Sequence, residues 1–318
     1  MNNSNQFLVS VCCMSFNHEH YIQSALKSIF KQKTNFMFEI IISDDQSTDK
    51  TLEIAKKTCN ANLNNKIKIV FLENDKKLGI ADNYLNLIMH AQGKYIIFLE
   101  TDDYWIDNNK LQKQVDFLEE KNEYICCSHL CKVVGVNDNL LNIKYNESNN
   151  NEYKIDDYLN GIYPGQTTTL MYRNFVKFNL FEYDILKKGL IPVDRIIIYL
   201  LLANGKIFCM QSIMSAYRLN DCNGSSYSAL QKKGKIKISF TDYYISILEF
   251  SKDNNYPDDE ISTIESLLLY CLIHEKKTKT FKQKKYIFLN IKHKKESIIF
   301  VIKKGKKYIS NKIRKKVS

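Results

Sequence analysis

The first hundred residues alternate between short apolar runs and segments in which apolar residues recur three and four positions apart. The apolar runs predict β-strands at residues 7–13, 38–43, 67–72 and 95–99. The segments between them predict helices with one apolar face. The second run holds three consecutive isoleucines, which is typical of a parallel strand covered on both faces. This alternation indicates right-handed βαβ units and a doubly wound α/β fold with a mostly parallel sheet.

The pattern becomes less regular after residue 123. It predicts a strand at 124–136, a polar, asparagine-rich loop at 137–152, an apolar block at 167–219 and helices after residue 240. We therefore expect two regions. The first is an α/β domain over residues 1–235, with halves at 1–123 and 124–235, and the second is a helical, lysine-rich region over 236–318.

The composition is that of an ordinary globular protein, with 44% apolar and 25% charged residues among 318. No segment approaches the roughly 18 apolar residues of a membrane-spanning helix. The N-terminus is polar and lacks the pattern of a secretory signal, so we expect a cytoplasmic protein. None of the nine cysteines forms a CxxC pair, and we expect buried, reduced thiols rather than a zinc site or a disulfide scaffold.

The net charge of +11 is unevenly distributed along the chain. Residues 275–318 hold 17 basic and 2 acidic residues, whereas the rest of the chain holds 29 basic and 33 acidic residues. A basic tail on a slightly acidic body suggests an anionic partner. We expect peripheral contact between this tail and the inner face of the cytoplasmic membrane. A nucleic-acid-binding module is the alternative, and the acidic remainder of the chain argues against it.

Carboxylates follow two of the predicted strands. Asp44 and Asp45 come after the second strand, and Glu100, Asp102 and Asp103 come after the fourth. Ligands of open α/β sheets bind outside the carboxyl ends of the strands. Clustered carboxylates repel one another unless a cation or hydrogen-bond donors compensate, and oxygen ligands suit Mg²⁺ or Mn²⁺. Asp44 and Asp45 are equally compatible with helix capping.

Three segments resemble family 2 glycosyltransferases of the GT-A fold over about residues 8–120. They read VSVCCMSFNHEHYIQSALKSIFKQ, FEIIISDDQSTDKT and KLGIADNYLNLIMHAQGKYIIFLETDDYWIDNNKLQKQVDFLE. The resemblance is strongest to the bacterial subgroup that builds surface polysaccharides and lipopolysaccharide. It implies metal-dependent, inverting transfer of a sugar from a nucleotide-diphosphate donor to a hydroxyl of a glycan or lipid-linked glycan. A nucleotidyltransferase is the enzymatic alternative, but the basic, glycine-rich segment it would need after the first strand is missing.

The resemblance assigns roles to residues of the first half by position. Ser15, Phe16 and Asn17 stand in the loop that approaches the nucleotide. Asp44 stands where a carboxylate holds the base or ribose, and Asp45 is the neighbouring motif position. The metal and diphosphate motif falls on Asp102 and Asp103, with Asp103 as the direct metal ligand. Glu100 replaces an aspartate often found there.

The second half carries a weaker resemblance. The segment IPVDRIIIYLLLANGK is similar to the one that carries the catalytic base, which would be Asp194. In SAYRLNDCNGSS, Arg218 is a candidate phosphate contact, and Asn220 occupies the position of a usual histidine. Asp194 competes with three nearby carboxylates, Glu182, Asp184 and Asp221. His18 and His20 in the first loop are expected to be solvated.

Overall fold

The computed structural model describes residues 7–219, 239–275 and 280–304. The chain divides into two compact units, residues 1–236 and 237–318. The strands of the first unit are β1 (Val9–Ser15), β2 (Phe38–Asp44), β3 (Ile67–Leu72), β4 (Tyr95–Glu100), β5 (Tyr104–Trp105), β6 (Tyr124–Val134), β7 (Glu152–Tyr153), β8 (Met171–Arg173) and β9 (Lys206–Arg218). Its helices are α1 (Ile22–Phe30), α2 (Thr51–Asn60), α3 (Ile80–His90), α4 (Lys110–Glu120), α5 (Ile155–Leu159) and α6 (Val193–Asn204), with short 3₁₀ turns at Thr167–Thr169 and Asp184–Lys188.

The first four strands form a parallel sheet in the order β3-β2-β1-β4. Because β1 pairs with β2 on one side and with β4 on the other, the direction of winding reverses between β1 and β4. The carboxyl ends of these two strands therefore flank the crevice where ligands of such sheets bind.

Alternate residues of the parallel strands fill a core on each face of the sheet. Val9, Val11 and Cys13 of β1 belong to the buried cluster that contains residues of α1, α2 and α4. On the other face α3 contacts β1 and β2, and Tyr84 of α3 stacks on Phe98 of β4 with ring centroids 3.7 Å apart. Burial on both faces explains why β1, β2 and β4 are almost uninterrupted apolar runs.

The sheet continues from β4 into a mixed half. β8 is antiparallel to both β4 and β6, and β6 is parallel to β9. The two-residue strand β5 is antiparallel to β9, so that Tyr104 faces Ala216 and Trp105 faces Ser215. This pairing brings the end of β9 alongside the segment that follows β4.

The second unit is helical where it is described, as expected. Its helices are α7 (Phe240–Asp253), α8 (Asp258–His274) and α9 (Phe281–Leu289), and residues 294–304 are also helical. α7 packs against α8. Ser239 caps α7, and Thr280 with Gln283 forms a capping box on α9.

No helix in the described ranges is long and apolar enough to cross a membrane. The eight cysteines in those ranges are all free, and seven of them are buried, while Cys271 is partly exposed. Burial raises the pKa of Cys59 and Cys209 to about 11. These thiols are therefore protonated and unreactive core residues at neutral pH.

Candidate active site

The loops after β1 and β2 are joined by side-chain hydrogen bonds. Asn17 has a left-handed backbone, with φ of 56°, and its amide nitrogen donates to Ser47 Oγ at 2.8 Å. Its side-chain oxygen accepts from the Thr48 amide at 2.9 Å. Phe16 is partly exposed beside them, and Lys77 Nζ lies 3.2 Å from its ring centroid. The first loop is therefore held in one conformation by the second.

Asp44 and Asp45, the β2 carboxylates, are both satisfied by neutral donors. Asp44 accepts from Ser15 Oγ at 2.9 Å, from Ser47 Oγ at 2.6 Å and from the Ser47 amide at 2.8 Å. Asp45 is buried and accepts from the amides of Leu78 and Gly79 at 2.7 and 3.2 Å. Gly79 has a φ of 80°, a conformation that favours glycine. Neither carboxylate caps α2 directly, since Asp49 accepts from the Thr51 amide at its start.

The β4 carboxylates are Glu100, the last residue of β4, and Asp102 and Asp103 on the turn that follows it. Each offers an oxygen, and these oxygens all lie within 4.8 Å of one another. Asp103 is 1% exposed, and the side chain of Asp102 is 13% exposed. The three side chains thus form a compact, largely desolvated group of like charges.

This crowding shifts the acidity of the β4 carboxylates. Burial, together with the charges of Asp102 and Asp194, raises the pKa of Glu100 to about 8. Burial and the charges of Asp102 and Glu100 hold the pKa of Asp103 well above its ordinary value. A divalent cation at the three oxygens would relieve this repulsion, and hard oxygen ligands of this kind fit Mg²⁺ or Mn²⁺. The residues present therefore fit a metal.

Two residues from the mixed half of the sheet hold the β4 carboxylates in place. Gln166 is buried, and its Nε2 donates to Asp103 Oδ2 at 3.0 Å and to Glu100 Oε2 at 3.3 Å. The backbone amide of Arg218 donates to Asp103 Oδ1 at 2.7 Å. Gly165 precedes Gln166 in the chain. A Cβ at this position would lie 2.9 Å from the His129 carbonyl oxygen, so the close approach of the two backbones requires glycine.

The guanidinium of Arg218 is buried among protein acceptors. Its Nε donates to the Asp102 carbonyl at 2.8 Å, and its Nη2 donates to Asp138 Oδ1 at 2.7 Å. Its Nη1 donates to the carbonyls of Gly135 and Val136. In this conformation Arg218 fixes the turn that carries Asp102. Its role as a phosphate contact stays a prediction.

His18 is the site residue that sequence reasoning passed over. It was expected to be solvated, but its side chain is only 11% exposed. Its Nδ1 lies 2.9 Å from Thr101 Oγ1, and its Nε2 lies 3.9 Å from Asp102 Oδ2. The expectation fails because α1 begins four residues later and turns the loop inward over β4. His20 is exposed, as expected.

Asp194 lies in the first turn of α6 and close enough to the β4 carboxylates for its charge to affect Glu100. Its charge also raises the pKa of Tyr145 and Tyr163, after the larger effect of burial. Burial raises the pKa of Asp194 itself, although the neighbouring Arg195 opposes this. The helix that carries Asp194 comes from the second half of the domain.

The structure thus gathers most of the predicted residues at one edge of the sheet. Asp102, Asp103, Arg218 and Asp194 come together around the end of β4. Ser15, Asn17, Asp44 and Asp45 form a hydrogen-bonded group at the ends of β1 and β2. Asn220 lies outside the described residues. Sequence reasoning missed Gln166, because its contacts join residues more than 60 positions apart.

The fold and this edge of carboxylates are consistent with the glycosyltransferase class. A model of glycosyl transferase family 2 matches residues 10–180, more than half of the chain, and the chain belongs to that family. It is 28% identical over 234 residues to an uncharacterized protein of Mycobacterium tuberculosis, covering 71% of this chain and 63% of that protein. It is 33% identical over 120 residues to the Escherichia coli UDP-Glc:alpha-D-GlcNAc-diphosphoundecaprenol beta-1,3-glucosyltransferase WfgD, covering 36% of this chain and 43% of that protein. The chain therefore spans less than two thirds of the length of either relative.

Solved structures show the same fold at low identity. Staphylococcus aureus TarS 1–349 in complex with UDP-GlcNAc superposes with a TM-score of 0.59 at 18% identity, covering 92% of this chain and 79% of that one. The mannosyltransferase PcManGT from Pyrobaculum calidifontis, in complex with GDP-Man and Mn²⁺, superposes with a TM-score of 0.54 at 11% identity, covering 94% of this chain and 87% of that one. The expected GT-A fold is thereby confirmed.

Proposed function

We propose that the protein is an inverting, metal-dependent glycosyltransferase that acts in bacterial cell-surface glycan synthesis. The observation that carries the proposal is the crowding of the β4 carboxylates at one strand end, with Asp194, from the other half of the domain, close enough for its charge to act on Glu100. A metal and diphosphate site and a base for the acceptor then lie on two sides of one crevice. The E. coli relative, whose name gives a UDP-glucose donor and a lipid-linked acceptor, supports a nucleotide-diphosphate sugar and a glycan or lipid-linked glycan here.

The donor nucleotide is assigned to the loops after β1 and β2. Ser15, Phe16, Asn17, Asp44 and Asp45 form the candidate surface for the base and ribose. Hydrogen bonds to one another and to Ser47 restrain the loops that carry them. A rigid loop loses little conformational freedom on binding, which favours affinity for the nucleotide.

The metal site is assigned to Asp103 and Asp102, with Glu100 beside them. A bound Mn²⁺ or Mg²⁺ would supply electrostatic stabilisation of the diphosphate leaving group. Gln166 and the Arg218 amide orient Asp103 for this role, and the Arg218 guanidinium holds the turn. His18 lies next to Asp102, where it can donate a hydrogen bond to a phosphate oxygen or to the carboxylate.

Asp194 is assigned as the general base. Its raised pKa moves it towards the range in which a carboxylate can accept a proton from a hydroxyl. The partly exposed rings of Tyr145 and Tyr163 flank it and provide a surface for an acceptor sugar. A single displacement with one base inverts the anomeric centre and needs no covalent nucleophile.

The test is a screen for release of nucleoside diphosphate from nucleotide sugars, beginning with UDP-sugars. The purified chain is incubated with Mn²⁺, a bacterial lipid extract as acceptor and each donor in turn. We expect release with at least one donor, loss of release in excess chelator and recovery when Mn²⁺ or Mg²⁺ is restored. Pyrophosphate release from a nucleoside triphosphate would indicate a nucleotidyltransferase, and full activity in excess chelator would refute metal dependence.

A further inference from the structure

The second unit exposes an apolar stripe on helix α9. Four exposed residues, Lys282, Lys285, Tyr286 and Leu289, stand at positions i, i+3, i+4 and i+7 and so share one face of the helix. Tyr286 is 70% exposed and Leu289 is 58% exposed. Two apolar side chains and two lysines thus share one exposed face of the helix.

The helix at residues 294–304 repeats the arrangement. Ser297 is buried, and the Ser266 hydroxyl of α8 lies 3.4 Å from its own. At about 100° per residue, the side opposite Ser297 carries Ile299 and Ile302, and Ile298 lies at the edge of that side. All three are exposed, Ile302 at 51%, and Lys295 and Lys303 are exposed among them.

Contacts with α8 fix which side of this helix faces outward. Glu265 of α8 is fully buried and accepts from the amides of Lys292 and His293, at 3.0 and 2.8 Å, just before the helix begins. His293 Nδ1 lies 3.0 Å from the same carboxylate. Rotation of the helix to bury its isoleucines would break these hydrogen bonds and leave the buried carboxylate with only Lys252 Nζ, at 3.3 Å, among its donors in the described residues. The apolar side is therefore a stable feature of the exterior.

We propose that these two exposed helix faces, the lysine–apolar surface, dock the protein on a bilayer of anionic phospholipids. The isoleucines, Tyr286 and Leu289 would enter the interface between headgroups, while the lysines contact lipid phosphates. Charge selects this occupant, since residues 275–318 carry 17 basic and 2 acidic residues. A second copy of the same surface would bring like charges together, whereas an anionic bilayer matches the lysines and the apolar stripes at once.

The test is sedimentation of the full chain with vesicles of phosphatidylcholine alone or with about one third phosphatidylglycerol. We expect binding to the mixed vesicles and little binding to the neutral ones. Ile302→Ser should weaken binding about fivefold to tenfold, because it removes a half-exposed side chain that enters the interface. The matched control is Ile213→Ser in β9, a side chain 54% exposed in the other unit, which should bind as the wild type does.

The charge contribution is tested separately. Lys282→Gln and Lys285→Gln should each weaken binding about fivefold at low salt, since each lysine near an anionic surface contributes a factor of about that size. Equal binding to both vesicle types, no binding, or an Ile302→Ser variant that binds as tightly as the wild type would each overturn the proposal. So would a wild-type dimer in vesicle-free solution that Ile302→Ser dissociates. Vesicle binding requires no turnover, so these outcomes are independent of the proposed chemistry.

Discussion

The two groups of carboxylates at neighbouring strand ends have opposite electrostatic states. The β2 carboxylates accept hydrogen bonds from hydroxyls and backbone amides, which compensate their charge. The β4 carboxylates crowd one another, and burial with mutual repulsion raises the pKa of Glu100 and Asp103. The same placement at the end of a buried strand thus yields a pair of carboxylates compensated by hydrogen bonds in one case and a crowded group that fits a cation in the other. The difference in electrostatic state arises from the hydrogen-bond donors that lie near each group.

The largest expected effect comes from Asp194, which lies on another helix but interacts with the β4 group through its charge on Glu100. Asp194→Asn keeps the size of the side chain and removes the base, so kcat should fall by about 10² to 10⁴-fold. Donor affinity should hardly change, because the β1 and β2 loops are assigned to the nucleotide. Steady-state kinetics with the donor found in the screen measures both quantities. If the variant keeps more than about a third of kcat, the base is Glu182, Asp184 or Asp221.

Asp103→Asn tests the metal assignment within the β4 group. Loss of one group that stabilises the leaving diphosphate should lower kcat about 10² to 10³-fold. The control is Asp116→Asn on α4, whose side chain is exposed and lies in neither carboxylate group. Titration with Mn²⁺ should show weaker metal activation for Asp103→Asn only. Wild-type metal activation in that variant would remove Asp103 from the ligand set.

Substitutions that remove one charge should shift stability in opposite directions in the two groups. Asp45→Asn replaces an oxygen that accepts from backbone amides with an NH₂ group, which should cost about 1 to 3 kcal/mol. Glu100→Gln removes a charge from a repelling group and should stabilise the metal-free protein by about 1 to 3 kcal/mol near pH 8. Thermal unfolding midpoints in chelator measure both changes. Midpoint shifts of the same sign in the two variants would contradict the proposed electrostatic difference between the β2 and β4 carboxylates.

The regular half of the domain was largely predictable from the sequence. β3 has the predicted bounds, and β2 and β4 each extend one residue further, to Asp44 and Glu100. Apolar periodicity is sufficient to predict this half because each strand or helix is a local segment of the chain. Each is buried against neighbouring elements that show the same kind of apolar pattern. The positions of the carboxylates at the sheet edge follow from the strand ends alone.

The electrostatic state of those carboxylates was not predictable, because it depends on distant donors. Asp45 is satisfied by the amides of Leu78 and Gly79, and Asp103 is held by Gln166 and Arg218. Leu78 and Gly79 lie just before α3, whereas Gln166 and Arg218 arrive through the turn before β8 and the antiparallel pairing of β5 with β9. No local pattern specifies either approach. The burial of His18 escaped prediction for the same reason, since its partners Thr101 and Asp102 follow β4.

The last prediction concerns the pH dependence of metal binding. Glu100 has a pKa of about 8 in the folded protein against an ordinary value of 4.5. Its neutral form is therefore favoured by folding, and this stabilisation is complete below about pH 4.5 and disappears as the pH rises through 8. A cation binds the ionised form, so binding below pH 8 must release a proton, and Mn²⁺ affinity should rise on the order of tenfold per pH unit. Isothermal titration between pH 6 and 8 measures this slope. Glu100→Gln cannot release this proton and should reduce the slope, while Asp103, whose pKa is also raised, still contributes to it. An equal slope in both proteins would mean that Glu100 stays protonated or lies outside the metal site.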